Sequence, residues 1–437
     1  MLEKAHKITT PNIIPRSDHN VSRASISENA LKVLYRLKEA GYEAYLVGGG
    51  VRDMLLGREP KDFDVSTNAT PEQVKDVFRN CRLIGRRFRL AHVFFHGEII
   101  EVSTFRGHHD DTEAEIETES EEGRILRDNV YGTLEEDVWR RDFTVNALYY
   151  NIYDYSIVDY TGGVADLNAG VLRIIGDPEK RFREDPVRML RAVRFSAKLG
   201  LKIEEQTAAR IFELAHLLGD ISSSRLFEEV LKMFHAGCAH ETFEMLRHYG
   251  LFAHLFPLTE KSLENESEHF PLMLLINALK STDKRIAEGK PVTPAFLIAA
   301  LLWDPMQQRA KEYSFDDMSE IQRMHEATAD VFRNQREHTS IPRRFALTAR
   351  DIWTMQPRLA KRSGKRAFRL FTHPRFRAAY DFLLLRAESG EDVSELADWW
   401  TKYQEVDAEE REKMVRVLTP KGKKKKRKKP QPQNNEQ

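Results

Sequence analysis

One stretch, residues 46–67 (LVGGGVRDMLLGREPKDFDVST), limits the possible folds more than any other part of the chain. The apolar run Tyr45-Leu46-Val47 reads as a buried strand. Gly48, Gly49 and Gly50 follow, then a short helical pattern over 51–56 that Gly57 closes. The chain next returns to an extended segment carrying Asp62 and Asp64. Side chains two apart on a strand point to the same face, so these carboxylates stand together. They repel unless a cation lies between them. Magnesium suits such a pair, because it takes oxygen ligands from one or two carboxylates and from substrate phosphates. Glycines ahead of a helix let backbone N–H groups approach a phosphate. Three glycines alone usually mark a turn, and Asp-Phe-Asp alone a half-exposed strand. Combined in one short stretch, they specify a metal-dependent nucleotide site. The phosphate loop of ATPases is excluded, because no Gly-Lys-Ser/Thr follows the glycines.

At 437 residues the chain is long enough for about three domains. Its 68 basic and 68 acidic residues cancel, but unevenly. Residues 110–122 are nearly all acidic and polar, a solvated run, whereas 421–429 reads KGKKKKRKK. That basic block cannot fold alone and suits a polyanion, with salt-sensitive, sequence-tolerant binding. Cys81 and Cys238 are too few for a disulfide framework or a four-cysteine zinc site, so a reducing, cytoplasmic compartment is expected. His235, Cys238 and His240 lie close in sequence but lack a fourth soft ligand, so zinc is not expected. The N-terminus lacks a signal-peptide core, and the longest apolar run, 295–303, is too short to span a bilayer. No stable membrane insertion is expected.

Residues 1–23 read as a flexible leader. Ser25 with Glu28 forms a capping box ahead of an amphipathic helix over 30–40. Thr70 caps a second helix, with Pro71 in its first turn. Residues 82–84, 92–95 and 98–105 alternate as strands, the last two joined at His96-Gly97. Residues 134–151 read as helix, 153–163 as strand and turn, and from 185 onward the period is helical almost throughout. His108 and His109 follow a strand end and read as surface residues.

Gly48-Gly49-x-Val51-Arg52-Asp53-x-Leu55-Leu56-Gly57, followed by Asp62-x-Asp64, resembles the signature of the class II nucleotidyltransferases. That superfamily shares its catalytic fold with DNA polymerase beta and contains bacterial poly(A) polymerases and CCA-adding tRNA nucleotidyltransferases. The resemblance spans about residues 25–255. It implies an α+β class: a nucleotidyltransferase head with a mixed sheet over 24–176, a helical neck over 177–255 and a helical body over 256–418. A disordered basic tail over 419–437 completes the chain.

Arg140-Arg141-Asp142-Phe143-Thr144-x-Asn146 is similar to the family's second motif, which implies ribose or triphosphate contacts. Asp142 and Asn146, four apart, would share a helix face, and the arginine forks suit phosphate oxygens. Glu184-Asp185-Pro186-Val187-Arg188 resembles the motif that reads the incoming base, with Asp185 and Arg188 as the reading pair. Asp185 before Pro186 also has the form of a helix N-cap. Arg188, Arg191 and Arg194 continue a basic stripe.

The expected catalytic set is Asp62, Asp64 and Asp142, with Glu101 the other candidate for third carboxylate. Asp62 and Asp64 are the expected ligands of two Mg2+ ions. Gly48, Gly49, Arg52, Arg140, Arg141, Asn146, Asp185, Arg188 and Arg191 are the expected nucleotide-binding residues. Residues 85–93 and 99–107 look like the bacterial poly(A) polymerase version of the family. CCA-adding enzymes typically carry a Gly-Thr-Val type segment in place of Leu90-Ala91-His92-Val93. The implied activity is template-independent addition of AMP from ATP to RNA 3′ ends, promoting RNA decay, with RNA-decay proteins as further partners. CCA addition to tRNA is the alternative. A catalytically inactive RNA-binding regulator is a third reading, disfavoured by the intact carboxylate pair.

Overall fold

The computed structural model describes residues 10–85, 89–107, 130–264, 270–313 and 318–418. The acidic run at 110–122, His108 and His109, Arg86 to Phe88 and the lysine-rich tail lie outside the described residues. Two compact units are present. One is built from the chain up to Ile221 plus Glu244–Leu251, the other from Ser222–Phe243 and the chain from Phe252 on.

An eight-stranded mixed sheet organises the first unit. Its strands are β1 (Asn12–Ile14), β2 (Ala44–Val47), β3 (Asp64–Thr67), β4 (Cys81–Ile84), β5 (Leu90–Phe95), β6 (Glu98–Thr104), β7 (Leu148–Asn151) and β8 (Ile157–Asp159), in spatial order β1-β8-β7-β2-β3-β6-β5-β4. Central β2 pairs antiparallel with both β3 and β7. β3 runs parallel to β6, and β5 and β6 form the expected hairpin.

Helix α1 (Glu28–Glu39) covers one face of the sheet. Its buried Ala30, Val33, Leu34 and Leu37 fall at the i, i+3, i+4, i+7 spacing of an apolar stripe. They pack with Leu46, Val65, Val93, Ile100 and Val102 from the central strands. The other face holds Val47, Phe105, Val138, Tyr149 and Val158. The cap of α1 is Ser27, which accepts from the Ala30 N–H at 3.1 Å, rather than the expected Ser25. Helix α2 (Gly49–Leu55) joins β2 to β3 across the loop that precedes Asp64. Helix α3 (Pro71–Val77) starts on a capping box between Thr70 and Gln73.

Two other local expectations need correction. The chain is not loose up to residue 23: Asn12–Ile14 pairs with β8, and Val21 is fully buried. A three-residue strand gives no periodic signal of its own, and distant β8 supplies its hydrogen bonds. Residues 134–151 are not one helix. Helix α4 (Leu134–Arg140) ends at Arg141, a 3-10 turn spans Thr144–Asn146, and the chain then enters β7. Pairing of β7 with β2 and β8 outweighs the helical period.

After β8 the first unit is mainly helical. It includes α5 (Gly163–Asn168), α6 (Pro178–Glu184) and α7 (Val187–Leu199), with a two-stranded parallel pair of Val171–Leu172 and Lys202–Ile203. Every regular element among the described residues of the second unit is a helix. The α+β class with a helical remainder is therefore as expected. Among the described residues no helix is long and apolar enough to cross a membrane.

Candidate active site

Gly48 ends β2 with φ 72° and ψ −129°, a conformation that side chains other than glycine rarely adopt. The turn aims the start of α2 at the segment that carries the carboxylates. A Cβ on Gly50 would come 3.3 Å from the Asp62 carbonyl oxygen, so glycine permits this close approach. On the returning segment Asp62 and Asp64 are exposed while Phe63 between them is buried. This alternation places both carboxylates on the open side. Among the described residues neither has an ion-pair partner.

Parallel pairing of β3 with β6 sets Glu101 beside Asp64. Glu101 is also exposed and lies 3.4 Å from His92 Nε2. The Asp64 carboxyl is pushed up to about 6. Desolvation by the surrounding protein is the main cause; the negative charges of Glu101 and Asp62 add to it, and Arg141 opposes.

Behind this face lies a network that the sequence reading did not single out. Asp137 on α4 is nearly buried and takes Arg141 Nη2 at 3.0 Å, the Tyr149 hydroxyl at 2.5 Å and the Arg106 N–H at 3.2 Å. Arg141 also donates through Nε to the Tyr149 hydroxyl at 2.6 Å. Its Nη1 would stand 3.5 Å from a Cβ on Gly48, so the guanidinium borders the glycine turn. Arg140 instead donates to the Gly107 carbonyl.

A second network ties α2 to α7. Arg52, expected to cradle phosphates, is buried and turned inward. It bonds Asp53 Oδ1 at 2.6 and 2.9 Å and Asn146 Oδ1 at 2.5 Å. Asn146 donates to Asp142 Oδ1 at 3.1 Å, although no helix joins them as the sequence reading assumed. Asp142 in turn accepts from Arg191 Nε at 2.8 Å and from the Phe143 N–H at 2.8 Å. Burial alone would raise this carboxyl, but Arg191 and the hydrogen bonds hold it below its ordinary value. Asp142 is thus engaged with Arg191 and Asn146, whereas Glu101 shares the open face with Asp64.

Asp185 and Arg188, expected to read the base, lie at the start of α7. Asp185 accepts from the Val187 N–H at 3.2 Å, but it closes α6, and Pro186 takes the N-cap position of α7 that was expected of Asp185. Arg188 reaches Glu184 at 3.0 Å and the Arg181 carbonyl at 2.7 Å. Arg181, missed by the sequence reading, donates to the carbonyls of Arg140 and Arg141 and so fixes the paired-arginine segment. Arg194 lies over the Phe195 ring, 4.6 Å from its centroid.

The donor set fits a hard divalent cation held mainly by a bound substrate. Among the described residues no three His, Cys, Asp or Glu side chains converge as a complete metal cage. Exposed, mutually repelling Asp62 and Asp64 would supply oxygens, and phosphates and water the remaining ligands.

Three family descriptions match the chain. "Poly A polymerase head domain" covers residues 44–173. "Probable RNA and SrmB- binding site of polymerase A" covers 200–263, and "Polymerase A arginine-rich C-terminus" covers 316–434. Poly(A) polymerase I of Salmonella typhimurium is 51% identical over 411 residues, 93% of this chain and 88% of the relative. A CCA-adding enzyme of Lactobacillus helveticus is 43% identical over 204 residues, 47% of this chain and 49% of the relative. The crystal structure of the Bacillus stearothermophilus CCA-adding enzyme in complex with CTP aligns with a TM-score of 0.57 at 27% identity, covering 84% of this chain and 80% of that one. Likeness to the poly(A) polymerase thus runs nearly end to end, while likeness to the Lactobacillus CCA-adding enzyme stops at about half. The activity is template-independent addition of AMP from ATP to RNA 3′ ends. On these grounds the chain belongs to the bacterial poly(A) polymerase I family of polynucleotide adenylyltransferases.

Proposed function

We propose that Asp62 and Asp64 are the metal-binding carboxylates of AMP transfer, with Glu101 beside them completing the acidic face. The observation that carries this reading is the exposure of both aspartates around buried Phe63, with no cation paired to either among the described residues. Two magnesium ions bound there would supply charge neutralisation to the attacking 3′ oxygen and to the departing pyrophosphate. The N–H groups at the start of α2, with Arg141, face the triphosphate; such first-turn groups have no partner within the helix. Arg52 acts from behind, by locking Asn146 and through it Asp142. Arg191 holds Asp142, and this pair orients the ribose side of the site. Asp185 and Arg188 select adenine: a carboxylate accepts from the exocyclic amino group and a guanidinium donates to a ring nitrogen.

The chain is read as a head to residue 176, a neck over 177–255 and a body over 256–418 that holds the RNA, with the basic tail from 419 as a further phosphate-binding segment. A cytoplasmic location and contact with RNA-decay proteins complete the proposal. Support for the protein contact is the match of 200–263 to a family region described by SrmB binding. Asp62→Asn and Asp64→Asn test the core of the reading. Each should lower AMP incorporation by about 10²–10³-fold or more, with an unchanged circular dichroism spectrum. Incorporation within a few-fold of the unsubstituted chain would refute it.

A further inference from the structure

Between Asp351 and Asp381 the sequence holds eight Lys or Arg and no acid. In the second unit this stretch includes a short helix, Lys365–Phe371. Ala367 is fully buried, and Leu370 and Phe371 pack against a cluster that includes Met355, Leu359, Phe376 and Trp400. This fixes which side of the helix turns outward. Lys365, Arg366, Phe368 and Arg369 are exposed on that side, and Lys361 and Arg375 are exposed on its flanks. Arg377 nearby is paired with Asp381 at 2.9 Å. Lys361, Lys365, Arg366, Arg369 and Arg375 have no acidic partner among the described residues. Phe368 is 63% exposed, more than any other aromatic ring among them.

Core packing does not explain that ring, and a lone ring is too small an apolar area for a stable protein interface. Cations left unneutralised around an exposed aromatic plane match the two needs of unpaired nucleic acid, phosphate charge and base stacking. We propose that the outward side of Lys365–Phe371 is a platform for single-stranded RNA. An unpaired base stacks on Phe368, and Lys365, Arg366 and Arg369 take the flanking phosphates. The nucleotides held here are other than the reacting terminus, and the proposal rests on the reading of the chain as an RNA-tailing enzyme. The family description covering this region names its arginine content, not a contact.

The test measures binding of fluorescent oligo(A) to the full chain by anisotropy across a salt series. Phe368→Ala should weaken binding about 5- to 50-fold without changing the salt slope, and Phe368→Trp should restore it. The Arg366→Ala/Arg369→Ala double variant should reduce the slope of log affinity against log salt by about 1.4, two single-strand phosphate contacts. A fully base-paired RNA should not register the loss of the ring. Equal affinity of Phe368→Ala and the unsubstituted chain for oligo(A), failure of Trp to restore, or an equal loss on duplex RNA would each overturn the platform. Because the readout is binding, AMP addition by the unsubstituted chain tests the proposed function separately.

Discussion

Asp142→Ala is the perturbation whose size the geometry fixes best. The carboxylate accepts from Phe143 N–H at 2.8 Å, Asn146 Nδ2 at 3.1 Å and Arg191 Nε at 2.8 Å. Its side chain is 10% exposed and that of Arg191 34%. Removing one partner of a buried pair costs about 3–5 kcal/mol, because the other charge is left uncompensated. Water can reach part of Arg191, so the lower end, about 3 kcal/mol, is expected. Asp142→Asn keeps an acceptor for Phe143 and loses only charge assistance, so about 1–2 kcal/mol is expected. Two units need not unfold together, so a single melting curve is the wrong assay. Hydrogen exchange at the amides of Leu148–Asn151, followed by mass spectrometry, reads the first unit alone. Asp142→Ala should speed exchange there about 10²-fold. A double-mutant cycle with Arg191→Met should give a coupling of about 1–3 kcal/mol. Additive effects, or protection unchanged in Asp142→Ala, would refute the network as the element that locks α7 to the motif.

Further outcomes follow from the same geometry. With its ordinary value of 3.8 raised to about 6, Asp64 holds its proton more tightly in the fold than unfolded. Its ionisation therefore opposes folding as pH rises through that window, and a bound cation relieves the strain of charge. Apparent Mn2+ affinity should fall about tenfold per pH unit below about 6, measured by titration calorimetry. Glu101→Gln should move that break to lower pH, and an unmoved break would show that Glu101 does not face Asp64. Asp142 behaves oppositely: held below its ordinary value, it stabilises the fold above that value and loses this contribution as pH falls. Leu34→Ala, at a fully buried position of α1, should cost about 2–5 kcal/mol in urea unfolding. Asp137→Ala should release Arg141 and Tyr149 together, raising the KM for ATP while circular dichroism keeps its strand and helix content.

What the sequence disclosed was local. The alternation around Phe63 and the positive-φ position at Gly48 depend on neighbours within a few residues, so their pattern could be read directly. Arg52 could not be placed, because its partner Asn146 lies 94 residues away and its guanidinium packs over Phe195 of α7. An arginine after a glycine turn looks like a phosphate ligand in sequence; only the packing shows it bonded to Asp53 and Asn146. Asp137, Tyr149 and Arg181 carry no motif of their own, and their roles arise from bonds to segments that fold against them. The contact between Asp142 and Asn146 was anticipated from helical spacing, yet a 3-10 turn delivers it. Spacing of four was right for the wrong backbone, since β7 claims the residues that follow. An acid one helical turn before an arginine pair, as Asp137 before Arg141, is the signal that could have exposed the network behind the acidic face.

Diffraction from crystals grown with Mn2+ and a non-hydrolysable ATP analogue would test the central assignment most directly. Anomalous peaks about 2.1 Å from carboxylate oxygens of both Asp62 and Asp64, shared with the triphosphate, are the predicted result. Peaks elsewhere, or aspartates turned away into ion pairs with lysine or arginine, would contradict it.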